Sequence, residues 1–326
     1  FSTPAWVMPL PQASFLEIAD LPESWRNQYS RFCSDHLSGA THLAEQAVDL
    51  VQRWSRQLHA AVEVAQRQAA LIELCRTLQR QQPSMAPLLV ALNGVLNETP
   101  AAAKTTDWTA SISHWANCWR QQSAQMAEAT TTHAMALIPE SSRLLTHSRS
   151  SLVERTLIRS ADAIREVICC EARPLYEGRG LAQALAGAGL RSRLIIDAAI
   201  ASVLQEVDIV LIGADALLPT GLVNKVGTRN IALAALNAGV PCYALCPSDR
   251  CAGEGAATLL RFAEQPAEEV WDDAPAAVAV QNQYFDVTPG VWLQGLVSEL
   301  GVCDADTLLA RTDVRLNAAW NIQEVS

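Results

Sequence analysis

Asp215 has the setting of a proton carrier. It follows the apolar run Val207-Asp208-Ile209-Val210-Leu211-Ile212 within Gly213-Ala214-Asp215-Ala216. Small neighbours leave room for a ligand, and a carboxylate there could move protons between adjacent oxygens of a substrate. The same position also suits a turn or helix N-cap aspartate. A few residues on, Asn224-Lys225-Val226-Gly227-Thr228 precedes a helical pattern starting near Asn230. Lys225 could pair with an anionic ligand or with Asp215, and the Gly-Thr turn could offer backbone amides at a helix start. In Glu171-Ala172-Arg173-Pro174, Arg173 could fork a phosphate or form an ion pair with Glu171 or Asp197. Leu144-Leu145-Thr146-His147-Ser148-Arg149-Ser150-Ser151 is a hydroxyl-rich loop of the kind that holds phosphate. His147 beside Ser148 suggests a nucleophile and its base, but adjacency in the chain is not a hydrogen bond. The strained elbow of a serine hydrolase, G-x-S-x-G, is missing.

These residues fall where the elements of a parallel α/β fold would place them. Val167–Cys170, Leu194–Ile196, Val207–Ile212 and Cys242–Cys246 read as strands; Leu181–Ala188, Ala198–Leu204 and Asn230–Asn237 read as helices between them. Near-continuous apolar strands alternating with helices predict a parallel sheet covered on both faces. Ligands of such sheets bind beyond the carboxyl ends of the strands. That rule selects Glu171–Pro174, Asp197, Gly213–Asp215 and Cys246–Ser248.

Upstream the periodicity is different. Leu37, Ala40, Leu43, Ala44, Ala47, Leu50, Val51, Trp54 and Leu58 recur at steps of three and four, the stripe of an amphipathic helix. Ala61–Leu78, Leu88–Leu96 and Trp108–Leu137 continue in that style, whereas residues 1–35 carry no clear pattern. Trp115 and Trp119 share a helical face; core packing outweighs a stacking platform for them. The reading is a helical N-terminal domain over 1–140 and a Rossmann-like domain over 141–326, an α/β chain.

Half the residues are apolar and 18% are charged, which excludes disorder, and the net charge is −10. Without clustered Lys and Arg, nucleic acid is excluded as a partner. No stretch approaches the roughly 20 apolar residues of a membrane span. The start, Phe1-Ser2-Thr3-Pro4, has neither a basic nor an apolar segment of the signal-peptide kind. Nine cysteines show no CxxC and no zinc spacing, so no metal site is expected. Buried free thiols in a reducing cytoplasm fit this usage.

Taken together, Leu144–Ser148, Glu171–Pro174 with Gly178, Asp197-Ala198-Ala199, Val210–Asp215, Gly221–Thr228 and Phe285-Asp286-Val287-Thr288-Pro289 have a familiar order and spacing. Across about 145–300 the chain resembles the family uniting the alpha, beta and delta subunits of translation initiation factor 2B with methylthioribose-1-phosphate isomerase and ribose-1,5-bisphosphate isomerase. The resemblance implies a homodimer or larger homo-oligomer through the C-terminal domain and aldose–ketose isomerisation without a cofactor. It puts Asp215 at the catalytic aspartate position and Asn224 and Lys225 at substrate-contacting positions. Ser148 stands where the isomerases carry a catalytic cysteine, and a hydroxyl does not readily replace a thiol of pKa about 8.5. Two phosphate-gripping arginines of the family are also replaced, in Ser38-Gly39-Ala40 and Gln82-Pro83-Ser84. The leading expectation is a protein that binds a phosphorylated sugar or nucleotide, with a regulatory role or altered activity. Its polar contacts would be Ser148, Arg149, Arg173 and Lys225, with Asp215 on ligand hydroxyls. The alternative is an active isomerase with Asp215 as its acid–base residue, assisted by His147 or water.

Overall fold

The computed structural model describes residues 21–35, 38–57, 64–99, 108–312 and 314–320. Leu37, Leu58 and Ala61, which enter the helical periodicities, lie outside the described residues, as does the segment Phe1–Pro4. Contacts divide the chain into one unit of residues 1–122 with 315–326 and a second of 123–314.

The first unit is helical. Its helices are α1 (Glu23–Ser34), α2 (Ala40–Ser55), α3 (Val64–Gln81), α4 (Ala86–Glu98) and the first part of α5 (Trp108–Met135). The stripe of α2 is buried as its spacing predicts, from Leu43 through Trp54. α1 had no clear signal, because its polar residues break the pattern. It nonetheless buries Trp25, Tyr29, Phe32 and Cys33 on one side, and the Trp25 indole donates to the Leu50 carbonyl at 3.0 Å. Pro87 sits in the first turn of α4, where a missing N–H costs nothing. Trp115 and Trp119 are buried, and Trp115 lies so close to Gly94 that a Cβ there would be 3.1 Å from its Nε1. Core packing is their structural role.

The second unit runs β1 (Ser142–His147), α6 (Ser151–Arg159), β2 (Ile164–Cys170), α7 (Glu177–Gly187), β3 (Ser192–Ile195), α8 (Ile200–Val203), β4 (Ile209–Ile212), β5 (Ala216–Leu218) and β6 (Gly221–Lys225). It continues with α9 (Thr228–Ala238), β7 (Cys242–Leu245), α10 (Glu254–Ala257), β8 (Phe285–Thr288), β9 (Gly295–Ser298), β10 (Gly301–Cys303) and α11 (Ala305–Arg311). The main sheet has the order β10-β9-β7-β4-β1-β2-β3 and is parallel except for β10.

Alternate residues of its strands enter two cores. Leu145, Ile168, Val210, Ile212 and Ala244 pack with Ile200, Val203, Ile231 and Ala235 from α8 and α9. Leu144, Val167, Cys169, Leu211 and Leu245 pack with Val153, Leu157, Leu181 and Leu185 from α6 and α7. Both faces are therefore covered, as apolar runs in a parallel sheet require. At roughly 1.5–3 kcal/mol per buried aliphatic side chain, these cores dominate the stability of the unit.

The change of texture near residue 140 marks the start of β1, whereas the compact units part at Gln122/Ser123. The reason is packing: Ala134, late in α5, and Ile138 belong to the sheet core. At the other end, Arg76 donates to the Ala319 carbonyl and Asn93 to the Arg315 carbonyl at 3.1 Å, which ties 315–320 to the helical unit.

One element differs from expectation. Asn224 and Lys225, expected only to precede a helix, lie in β6, the centre of a small antiparallel sheet β5-β6-β8. A three-residue strand such as β5 is too short to show a period in the sequence. Among the described residues no helix is long and apolar enough to cross a membrane.

Candidate functional site

In the main sheet β1 leads to β2 and β3 on one side, while β4 leads to β7 and β9 on the other. This reversal makes the carboxyl ends of β1 and β4 the switch point, where a doubly wound sheet opens a crevice. β1 ends on His147, and the loop after it carries Ser148 and Arg149; the loop after β4 carries Gly213, Ala214 and Asp215. The two loops touch. A Cβ at Gly213 would lie 2.7 Å from the Ser150 Cβ, so a residue without a side chain is required there. Gly178 is constrained more severely: its Cβ would lie 1.8 Å from the Cys170 carbonyl oxygen, and only glycine brings the start of α7 this close to the end of β2. Ser148, Ala172 and Tyr176 all have φ near +60°. Non-glycine residues held in this region concentrate where a backbone is shaped for function.

Asp215 is anchored by its amide, which donates to the Val223 carbonyl at 3.0 Å. Its side chain is desolvated, and burial raises the carboxyl to about 6 against the pull of Lys225 and Arg250, with Glu177 adding to the rise. The residue keeps partial exposure. A carboxyl poised near neutrality can both take and return a proton.

Lys225 is buried and bonds Glu177 Oε1 at 2.5 Å. Its ammonium also lies 4.6 Å from the centre of the Tyr284 ring. Tyr284 in turn donates its hydroxyl to the Glu269 carboxylate at 2.6 Å. The second oxygen of Glu177, Oε2, is buried with no hydrogen-bond partner. His147 bonds the Val226 carbonyl through Nε2 at 2.8 Å. Burial pushes its imidazole below the ordinary value, offset in part by the Val226 carbonyl and Asp197. Asp215, Lys225, His147 and Glu177 thus share one charged neighbourhood.

The other expected residues already have protein partners. Asn224 donates to the Thr228 hydroxyl at 3.0 Å, bracing the turn into α9. Arg149 is half-exposed and bonds Glu154 at 2.9 Å. Arg173 stretches to the Tyr176 hydroxyl at 2.6 Å and to the Val270 carbonyl at 3.0 Å. Its backbone amide and that of Ala172, not its guanidinium, are what meet the Asp197 carboxylate, at 2.8 and 2.9 Å. The amides of Gly227 and Arg229 are already taken by Asp286, at 2.7 and 3.1 Å. The Gly-Thr turn is therefore capped by protein rather than left open for an anion.

Three participants had no place in the sequence-based reading of the site. Glu177 opens α7. Arg250, one loop further along the sheet, donates to the Ala214 carbonyl at 3.3 Å and pairs with Asp249. Tyr284 reaches Lys225 from just before β8. The strand-end rule selects stretches just before Glu177 and Arg250, but no local spacing singles out either residue. His147, Cys170 and Asp197 also place three potential ligand atoms within 4.8 Å of one another.

Comparison with known proteins decides the kinship. The model of the initiation factor 2 subunit family matches residues 36–305. The chain belongs to the initiation factor 2 subunit family. Within it, methylthioribose-1-phosphate isomerase of Gemmatimonas aurantiaca is 29% identical over 256 residues, 74% of this chain and 74% of that protein. Ribose 1,5-bisphosphate isomerase of Methanocaldococcus jannaschii is 33% identical over 176 residues, 51% of this chain and 56% of that protein. The same fold occurs in translation initiation factor eIF-2B of Pyrococcus horikoshii, with a TM-score of 0.73 and 24% identity over 86% of this chain and 97% of that one. It also occurs in 5-methylthioribose 1-phosphate isomerase of the same organism, with a TM-score of 0.73 and 22% identity over 89% and 88%. The family thus joins this chain to sugar-phosphate isomerases by sequence and to initiation factor subunits by fold.

Proposed function

We propose that the crevice at the ends of β1 and β4 binds a small phosphorylated sugar or nucleotide, and that thiol-dependent isomerisation is altered or lost. The observation that carries this reading is Asp215: a desolvated yet reachable carboxyl, raised to about 6, beside the buried Lys225–Glu177 pair. Asp215 receives ligand hydroxyls, and Lys225 with Asn224 meets the ligand's polar oxygens. Ser148 and His147 line the β1 side, with Arg149 and Arg173 at the rim. A hydroxyl at Ser148 lacks the acidity for the thiol's share of proton transfer, so a regulatory role or a changed reaction follows. In support, the cationic groups facing the crevice already have protein partners, which favours recognition of hydroxyls over a bare bisphosphate grip.

A second reading is favoured by the same carboxyl. A group titrating near 6 is matched to acid–base work at neutral pH, so Asp215 could run aldose–ketose isomerisation with His147 or a water as its helper. Both readings need no added cofactor, and both place assembly of copies in the C-terminal unit. The buried free cysteines suit a reducing cytoplasm.

The test is a thermal-shift screen of the intact chain with sugar phosphates and nucleotides. A binder raises Tm with the logarithm of its concentration; no shift with any of them overturns both readings. For a hit, exchange of solvent deuterium into the ligand's C2 separates them. Exchange that disappears in Asp215→Asn and rises as pH passes 6 supports the isomerase. Binding without exchange supports the regulator, and Ser148→Cys should then introduce exchange.

A further inference from the structure

We infer that His147, Cys170 and Asp197 form a binding site for one divalent transition-metal ion of the zinc class. The three residues stand at the carboxyl ends of adjacent parallel strands. His147 and Cys170 are directly opposite each other in the β1–β2 ladder, so their side chains leave the same face of the sheet. Cys170 is in turn opposite Ile195 of β3, two residues before Asp197.

The imidazole carries the decisive feature. Its Nε2 meets the Val226 carbonyl at 2.8 Å, and a carbonyl only accepts, so the ring proton lies on Nε2. Nδ1 is then a bare lone pair. It is buried without a hydrogen-bond partner and faces Asp197 Oδ1 at 4.0 Å. Two acceptors turned toward each other repel unless a cation lies between them. A metal ion resolves the conflict. A histidine that donates its far N–H to a carbonyl while its near nitrogen stays free has the orientation of a metal ligand.

The other two ligands fit. The Asp197 carboxylate is held by the Ala172 and Arg173 amides at 2.9 and 2.8 Å, which fixes its direction as outer-shell donors do. Like an ordinary thiol, Cys170 carries a proton at neutral pH. On binding it would lose that proton to solvent and form a metal–sulfur bond. Thiolate and carboxylate then balance the two positive charges, and the neutral imidazole adds none. Zinc–nitrogen, –sulfur and –oxygen bonds of about 2.0–2.3 Å require the ligand atoms to draw in by about an ångström from their present spread. With a side chain 27% exposed, Asp197 leaves a path for the ion from solvent. No spacing rule could reveal this site, because its ligands come from three separate strand ends.

The experiment is a cobalt(II) titration of the intact chain with no sugar phosphate present. The expected result is a thiolate-to-cobalt charge-transfer band that saturates at one ion per chain and is displaced by zinc. Cys170→Ser should abolish the band. Cys169→Ser, whose side chain enters the opposite core, should preserve it. His147→Gln keeps a donor for the Val226 carbonyl and removes the lone pair at Nδ1; it should cut affinity by at least about 100-fold while circular dichroism stays unchanged. A titration without a band overturns the site, as does a band that survives both Cys170→Ser and His147→Gln or one that depends on another cysteine. None of these outcomes bears on sugar-phosphate binding, so the two proposals fail separately.

Discussion

The helical unit and the sheet unit treat inherited polar positions in opposite ways. In the helical unit, Gln82 stands where the family resemblance implies a phosphate-gripping arginine. It is buried, and its amide donates to the Phe32 and Asp35 carbonyls at 2.8 and 3.0 Å, closing the end of α1. Ser38, at the other such position, donates its backbone amide to Asp35 Oδ1 at 2.9 Å. In the sheet unit, Asp215, Lys225 and Glu177 remain charged and desolvated, with a carboxylate oxygen of Glu177 unsatisfied. Burying charge is costly unless each group is paired and hydrogen-bonded. A cluster that keeps this cost is held for chemistry, whereas a position that sheds its charge is released to packing. On the proposed reading, ligand recognition rests on the sheet unit.

Mutations can break or sharpen that contrast. The largest effect is expected from Lys225→Met, which strands Glu177 without its partner. Urea denaturation should show a loss of roughly 3–5 kcal/mol, and a loss below about 1 kcal/mol would place the pair in solvent. Asp215→Asn should act in the opposite direction. The folded carboxyl titrates near 6 and the unfolded one near 3.8, so between these values the folded state holds more protons than the unfolded one. Stability contributed by the protonated form is complete below pH 4 and is lost as pH rises through 6. Removing the charge should stabilise the apo protein by up to roughly 3 kcal/mol at pH 7 and flatten its stability between pH 4 and 6. An unchanged pH profile would show that Asp215 is not desolvated.

In the helical unit, Gln82→Ala should cost roughly 1–3 kcal/mol by leaving buried carbonyls unpaired, with no change in any ligand-induced Tm shift. A lost shift would return phosphate recognition to that unit. Arg149→Ala is the mildest case: its exposed pair with Glu154 should be worth less than about 1 kcal/mol in the same assay.

Much of this fold is legible in the chain because burial on both faces leaves a continuous signal. β4, Ile209–Ile212, is apolar at every residue and buried at every residue, and the strand-end rule then locates Asp215 without further information. Short antiparallel strands leave no such trace: nothing around Asn224-Lys225 marks a strand until β8 is seen pairing with it. α1 was hidden for a related reason, since Trp25, Tyr29 and Phe32 are spread among exposed polar residues. The partners of the site residues were the least visible. Asp197 meets His147 because the parallel sheet gathers distant strand ends on one edge, and Glu177 at the start of α7 meets Lys225 of the small antiparallel sheet. Pairing across strands is a property of topology, and local spacing does not encode it.

Calorimetric titration of the intact chain at pH 7.5 with a panel of pentose phosphates, beside the same titration of Asp215→Ala, tests ligand recognition by the sheet unit most directly. Saturable one-site binding of at least one pentose phosphate, weakened at least about 100-fold in Asp215→Ala, is the predicted result. Binding of equal strength in both proteins, or none by the unaltered chain, would contradict it.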